Sequence, residues 1–279
     1  MDEKNNNLKK LVDSSGYPFQ LRIENEIRTA DTRWNIITHE HPWKNISNET
    51  EGFIDVILGN NATRVVLECK RPRGGVWVFI ISREEQVSVE RFRICWAHCM
   101  PERKDLVDWD DFHVVPGSQE SEFCIVRGHG DKTEPFLERL SKCVLSSTEA
   151  LAHEELSLIR HPEFDRLRFF IPVIVTTAEL KVCRLEPNQV SISDGSIKEP
   201  KFETVPWIRF RKSLSVYDTD KIGVATLKEI TEKKERSIFI MNSTSLSHFL
   251  KSLEICSQAW GASPWEKARQ IERMQENET

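Results

Sequence analysis

Residues 52–70 constrain this chain more than any other stretch. Gly52-Phe-Ile-Asp-Val-Ile-Leu58 and Arg64-Val-Val-Leu-Glu-Cys-Lys70 are two apolar, β-branched runs separated by Gly59-Asn60-Asn61. That pattern predicts an antiparallel hairpin closed by a tight turn. Both strands also carry charge inside their apolar runs: Asp55 in the first, Glu68 and Lys70 in the second. Side chains alternate along a strand, so Glu68 and Lys70 share a face while Cys69 points into apolar packing. Charges in such surroundings are costly unless they are paired, so the three are expected to stand together.

Two hard carboxylates beside a lysine are a donor set for Mg²⁺ or Mn²⁺, with the Cys69 backbone carbonyl as a further oxygen ligand. A cation so held activates a bound water, and Lys70 would orient that water or stabilise charge on a phosphate, which points to phosphodiester hydrolysis. Arg64, Lys70, Arg71 and Arg73 form a local positive cluster in a chain of formal charge −5 (39 Lys+Arg against 44 Asp+Glu). Arg64, Arg71 and Arg73 are the candidates for contacts to DNA phosphates. The competing structural reading is an ion pair on an exposed strand edge with solvated arginines around it.

Around the hairpin, Tyr17–Thr29 has helical spacing at Phe19, Ile23 and Ile27, with Pro18 in the first turn. Strands are expected at Trp34–His39, Val76–Ile81, Phe123–Arg127, Phe169–Val175, Leu180–Leu185, Val190–Ser193, Thr204–Phe210 and Ser237–Met241. Helices are expected at Ser82–His98, where Ser82 and Glu85 fit a capping box, and at Glu134–Leu156, Thr244–Cys256 and Pro264–Asn277. Residues 101–132 read as charged and irregular apart from the strand at 123. The expected organisation is a mobile lead-in (1–16), a core (17–160) and a β-rich extension (161–279). The change of character near Arg160–Arg166 is either a boundary or a crossover within one sheet.

Other motifs favour structural roles. His39 and His41 alternate onto one face, without a third ligand at metal spacing. Cys95, His98 and Cys99 lack the second cysteine pair of a zinc site. Trp207, Arg209, Phe210, Arg211 and Lys212 read as an alternating strand before a nucleic-acid ribbon. Gly128-His129-Gly130 reads as a plain turn, because Thr133 stands where a dinucleotide fingerprint needs glycine. With no apolar run of membrane-spanning length, no secretory leader in the first residues and seven scattered cysteines, the expectation is a cytoplasmic chain with reduced thiols and no membrane partner.

Ile54-Asp55-Val56 followed by Leu67-Glu68-Cys69-Lys70, with a helix before and the aromatic run Trp77-Val-Phe79 after, resembles the PD-(D/E)XK (restriction-endonuclease-like) nuclease superfamily over roughly residues 16–100. The opening Ser15-Gly16-Tyr17-Pro18 is similar to Mrr-type type IV restriction nucleases. The resemblance implies an α/β fold, ordered α-β-β-β-α-β, with a mixed sheet flanked by helices; here a β-rich C-terminal half is added. It implies Mg²⁺-dependent DNA cleavage in bacterial restriction or phage defence. Asp55 and Glu68 would be metal ligands and Lys70 the catalytic lysine. An acid from the first helix joins the site in many members, and Gln20, Glu24 and Glu26 are its candidates, with Glu24 preferred. Pairing into a homodimer, docking of a protein partner, and a nuclease-fold subunit that binds without cutting are further expectations.

Overall fold

The computed structural model describes residues 3–45, 50–72, 75–82, 89–99, 106–126, 135–159, 167–214 and 226–256. The chain starts with helices α1 (Glu3–Ser14) and α2 (Tyr17–Thr29), then strands β1 (Asn35–Lys44), β2 (Glu51–Asn60), β3 (Thr63–Lys70), β4 (Val76–Ser82), β5 (Val89–His98), β6 (Leu106–Ser118), β7 (Glu120–Ser121) and β8 (Phe123–Val126). Helix α3 (Phe136–Ile159) leads to β9 (Leu167–Thr176) and β10 (Glu179–Leu185). Then come β11 (Lys201–Val205), β12 (Trp207–Ser213), α4 (Leu227–Lys234), β13 (Glu235–Asn242), α5 (Leu246–Ser252) and β14 (Glu254–Ile255). It is a mixed α/β architecture with a large mixed sheet flanked by helices.

Among the described residues, ten strands make the large sheet, whose main path runs β1-β2-β3-β9-β13-β12-β7, with β5, β6 and β14 branching from β9. The hairpin forms as its sequence predicts. Its ladder runs from Val56–Leu67 to Asn60–Thr63, and Asn61 makes the turn in a left-handed conformation (φ 49°), which asparagine tolerates better than most residues. Gly59 has a packing reason as well, since a Cβ there would meet Ile37 Cδ1 at 2.4 Å. β9 runs parallel to β3 from Thr63–Phe169 to Lys70–Thr176. It is buried at every position, as its near-continuous apolar run requires of a central strand. The segment after 166 therefore enters the middle of the sheet that contains the hairpin.

The two faces of the sheet have separate cores. On one, Ile57, Val66, Phe170 and Ile174 pack against α3 through Leu137, Val144 and Leu151. On the other, Val56, Leu67, Ile171 and Val173 pack against Ile23 and Ile27 of α2 and Phe249 and Leu250 of α5. A second, four-stranded sheet, β11-β10-β4-β8, adds Trp77, Phe79, Leu180 and Val182 to the α3-side core. In it β4 and β10 are parallel, just as β3 and β9 are, so one parallel pair passes from the large sheet into the small one. Lys70, the last residue of β3, stands at that junction.

Several expectations are corrected. The segment expected as a Ser82–His98 helix is strand β5 from Val89 to His98, paired with β6 and, over Cys95–His98, with β9. Phe92, Ile94 and Trp96 enter one core and Cys95 and Ala97 the other. The i, i+4 spacing of Phe92 and Trp96 fits a helix and a strand equally, and pairing decides between them. Ser82 ends β4, and Glu85 lies outside the described residues. Residues 106–118, expected to be irregular, are the longest described strand, β6; its aspartates disguise it, and one of them, Asp111, faces three arginines. The Val190–Ser193 strand reduces to one bridge, Val190 to Ile197. Thr204–Phe210 is two strands, β11 and β12, either side of Pro206. The helix expected over Thr244–Cys256 is a 3₁₀ turn (Ser243–Ser245), the seven-residue α5 and then β14. Residues 3–14 of the expected lead-in form α1. Pro264–Asn277, Gly128-His129-Gly130, Thr133 and the Arg160–Arg166 segment lie outside the described residues.

Candidate active site

The β2–β3 ladder ends at Val56–Leu67, so Asp55 and Glu68 stand where the two strands part. The backbone groups freed by this parting find local partners. The Cys69 N–H donates to Asp55 Oδ2 at 2.6 Å, and the Asp55 carbonyl accepts from Gln20 Nε2 of α2 at 3.1 Å. Glu68 Oε1 is in direct contact with Lys70 Nζ. The Glu68 side chain is 12% exposed and that of Lys70 37%, so the pair lies at the mouth of a largely buried site.

The electrostatics are unbalanced. Burial first, and then the neighbouring Glu68 carboxylate, push Asp55 up to about 7, against the Cys69 N–H bond and Lys70, while Glu40 adds to the rise. Burial alone would lower Lys70, but Glu68 and Asp55 outweigh it and hold the ammonium charged. Two carboxylates thus share one ammonium in a poorly solvated place. Cys143 of α3, an exposed residue, senses their charge: partial desolvation raises its thiol, and Glu68 raises it further. The thiol is neutral there and is not a ready nucleophile.

This donor set suits a small hard cation. Both carboxylates are on adjacent strands, and one of them, Asp55, is held well above its ordinary range by burial and by the other. A divalent ion would relieve that, with the Cys69 carbonyl and waters filling the other positions. The Cys69 thiol packs on the α2 side, away from Glu68 as alternation requires. Among the described residues no group of three His, Cys, Asp or Glu side chains is gathered for a metal ion, so any ion here would rest on two carboxylates.

The first-helix candidates separate clearly. Glu24 is 1% exposed, and its carboxylate is taken by Arg28 (2.9 Å) and His39 Nδ1 (3.1 Å), with Gln20 Nε2 at 3.4 Å. Burial raises its pKa, but the bonds from His39, Arg28 and Gln20 win and hold it below the ordinary range. Glu26 is paired with Arg22 at 2.8 Å. Gln20 is the residue of this helix that touches Asp55. The two described arginine candidates, Arg64 and Arg71, do not converge either. Arg64, 13% exposed, donates to Glu155 at 2.7 Å and to the Asn61 carbonyl, so its charge is spent inside the protein. Arg71 is exposed and donates to the Asp13 carbonyl at the end of α1. Arg73 lies outside the described residues.

The two histidines also part company. His39 binds Glu24 of α2 and His41 binds Glu154 of α3 at 2.9 Å, on opposite sides of the sheet. Glu40 between them has φ 47°, a left-handed residue that breaks the alternation from which a shared face was expected. Cys95 and Cys99 are buried in the α3-side core, as a structural role requires. The elements that sequence reasoning missed are Cys143 and Glu40. Nothing local in the sequence marks either one, because their electrostatic effect on the site acts between separate elements.

No family model, no curated protein and no solved structure matches this chain. No helix among the described residues is long and apolar enough to cross a membrane.

Proposed function

We propose that the chain is a metal-dependent nuclease of the restriction-endonuclease-like fold, hydrolysing phosphodiester bonds in DNA at Asp55, Glu68 and Lys70. The observation that carries the reading is the pair of carboxylates at the point where β2 parts from β3, one of them held near 7 with a single ammonium between them. Within residues 16–100 the helix expected after Lys70 is replaced by strands β4 and β5; the α-β-β-β-α-β series is met as α2-β1-β2-β3-α3-β9, with β9 parallel to β3, when the intervening strands are set aside. The strands β4 to β8 are then an insertion before α3, and everything from β10 an extension.

In this reading Asp55 and Glu68 hold Mg²⁺ or Mn²⁺, with the Cys69 carbonyl. The ion supplies an activated water and charge neutralisation at the phosphate. Asp55 is fixed through Oδ2 by the Cys69 N–H, and Oδ1 would be its oxygen for the ion. Lys70, in contact with Glu68, would be the residue that orients the attacking water or stabilises charge on the phosphate. Arg71, exposed beside Lys70, is the phosphate-contacting residue best placed for DNA. The setting proposed is the bacterial cytoplasm, in restriction or phage defence, with a homodimer as a route to cutting both strands.

A second reading has its own support. Glu68 is already paired with Lys70, Glu24 with Arg28 and His39, and no third ligand joins the carboxylates among the described residues. That would suit a nuclease-fold subunit that binds DNA or a protein partner without cutting. One experiment separates the two. Supercoiled plasmid is incubated with Mg²⁺ or Mn²⁺ and the wild type, Asp55→Ala or Lys70→Ala. The nuclease reading expects nicking or linearisation by the wild type and its loss in both variants. Cleavage that survives in both variants would reject the site, and no cleavage with either metal would favour the binding subunit.

A further inference from the structure

Where a hairpin opens, its freed backbone groups need other partners. Here each finds one, and the two are coupled. The Cys69 N–H turns to the Asp55 carboxylate, while the Asp55 carbonyl turns to Gln20. Gln20 is 5% exposed, on the face of α2 that meets the sheet. Its amide nitrogen faces two oxygens that can only accept: the Asp55 carbonyl at 3.1 Å and Glu24 Oε1 at 3.4 Å. Glu24 is itself immobilised by Arg28 and His39. Flipping the Gln20 amide would set its own oxygen against both acceptors, leaving three buried acceptors without a proton. The charged group thus fixes which end of the amide meets Asp55.

We propose that Gln20 is a positioning residue for the candidate active site. It holds the Asp55 main chain in the parted conformation and so aims the Asp55 carboxylate onto the Cys69 N–H and toward Glu68. The role of this helix is then mechanical rather than ligating. Glu24, the preferred first-helix acid, is held by Arg28 and His39 and orients Gln20 through its other oxygen. The inference deepens the nuclease reading and rests on it for any effect on cleavage. Its structural content, the coupling of Gln20 to the Cys69 amide, does not depend on that reading.

The test uses Gln20→Met, which keeps the length and bulk of the side chain and removes both donors, with Gln20→Glu as a second variant that keeps its shape and one oxygen. Two quantities are read on the full chain: hydrogen exchange of the Cys69 amide, and plasmid cleavage with Mg²⁺ as kcat and KM. Faster Cys69 exchange is expected in both variants, with exchange in β9 and β13 unchanged. Alongside it, kcat should fall by about 10- to 100-fold, the usual cost of losing an outer partner of a metal-site residue, with KM within about twofold. A change confined to thermal stability, with Cys69 exchange and kcat as in wild type, would overturn the proposal. So would a rise in KM alone, with Cys69 exchange and kcat as in wild type in both variants. If the wild type itself cleaves nothing, the nuclease reading fails while Cys69 exchange still decides the role of Gln20. If Gln20→Met does not fold, Gln20→Glu carries the comparison.

Discussion

The molecule buries charge in two places and treats it in opposite ways. At the parting of β2 and β3, two carboxylates share one ammonium, and Asp55 is raised to about 7 by burial and by Glu68. In the cleft between β5–β6 and β12–β13, Asp111 is as enclosed, at 9% side-chain exposure. It is met by Arg91 at 2.7 Å, Arg211 at 3.0 Å and Arg93 at 4.0 Å. Burial would raise Asp111 too, but Arg211, Arg93 and Arg91 outweigh it and hold it below its ordinary range. Arg211 goes on to Glu235 at 2.6 Å, and Arg209, fully buried, lies over the stacked rings of Phe92 and Phe239 and donates to the carbonyls of Arg91, Val114 and Pro116. One cluster is saturated with positive charge and joins strands where the sheet forks. The other is short of it. A raised pKa is not enough to tell them apart, since Glu120 beside the arginines also reaches about 7 through burial. The difference lies in the count of cations around each acid.

If that contrast is right, the largest loss of stability comes from the saturated cluster. Asp111→Ala would leave three arginines facing one another around a missing anion. Breaking a buried pair in this way costs about 3–5 kcal/mol, which urea unfolding would register as a lower midpoint at unchanged m-value. A loss under about 1 kcal/mol would mean that solvent or Glu235 already serves those arginines.

The two acids should also carry opposite pH signatures. Asp55 binds its proton more tightly folded than unfolded, so its contribution turns unfavourable as pH rises from about 4 to about 7. Asp111 is lowered, so its contribution is present above its unfolded value and is lost as pH falls through the folded one. Asp55→Asn, measured in chelator, should therefore match or exceed the wild type in stability at neutral pH, by roughly 1–2 kcal/mol once charge sharing with Glu68 and Lys70 is allowed for. Near pH 4 that advantage should vanish. Using the difference between the two proteins removes the parallel titration of Glu120. An Asp55→Asn protein less stable than wild type at pH 7 would show that Asp55 is already neutralised.

A divalent cation tests the same imbalance from outside. Mg²⁺ or Mn²⁺ at ten times its dissociation constant would stabilise the folded state by about 1.4 kcal/mol through mass action, seen as a rise in melting temperature. Asp55→Ala and Glu68→Ala should abolish the rise. A rise that persists in both would place the ion elsewhere.

How much of this was readable in the sequence follows from the range of the interactions. The hairpin, α2, β9 and α3 were legible because each is encoded in its own periodicity, and Glu68, Cys69 and Lys70 could be assigned faces because alternation is a local rule. The rest depended on distant partners. β5 and β6 hide their strand character because Arg91, Arg93 and Asp111 look like solvated surface until they are set opposite each other and Arg211. His39 and His41 were put on one face because nothing in the sequence announces the left-handed Glu40 between them. Glu24 was preferred over Gln20 because an acid is the natural ligand, and only its neighbours Arg28 and His39 reveal that its charge is spent. Arg64 reads as a phosphate contact from the sequence for the same reason, since its partner Glu155 lies far along the chain on α3.

The smallest expected effect sharpens the comparison at its margin. Arg91 is the outer member of the saturated cluster, its side chain 53% exposed although its bond to Asp111 is 2.7 Å long. Water screens it, and a long side chain loses conformational freedom in making the contact. When it is removed, Arg211 and Arg93 still face Asp111 from the inner side. Arg91→Ala should therefore cost less than about 1 kcal/mol, in the range of exposed ion pairs, and the cost should shrink further as salt is raised. Arg211 is 12% exposed and spans Asp111 and Glu235, so Arg211→Ala should cost several times more and respond little to salt. Equal costs for the two arginines would mean that the cluster is held together at its exposed rim. The contrast with Asp55, which has one cation and no reserve, would then have to rest on burial alone.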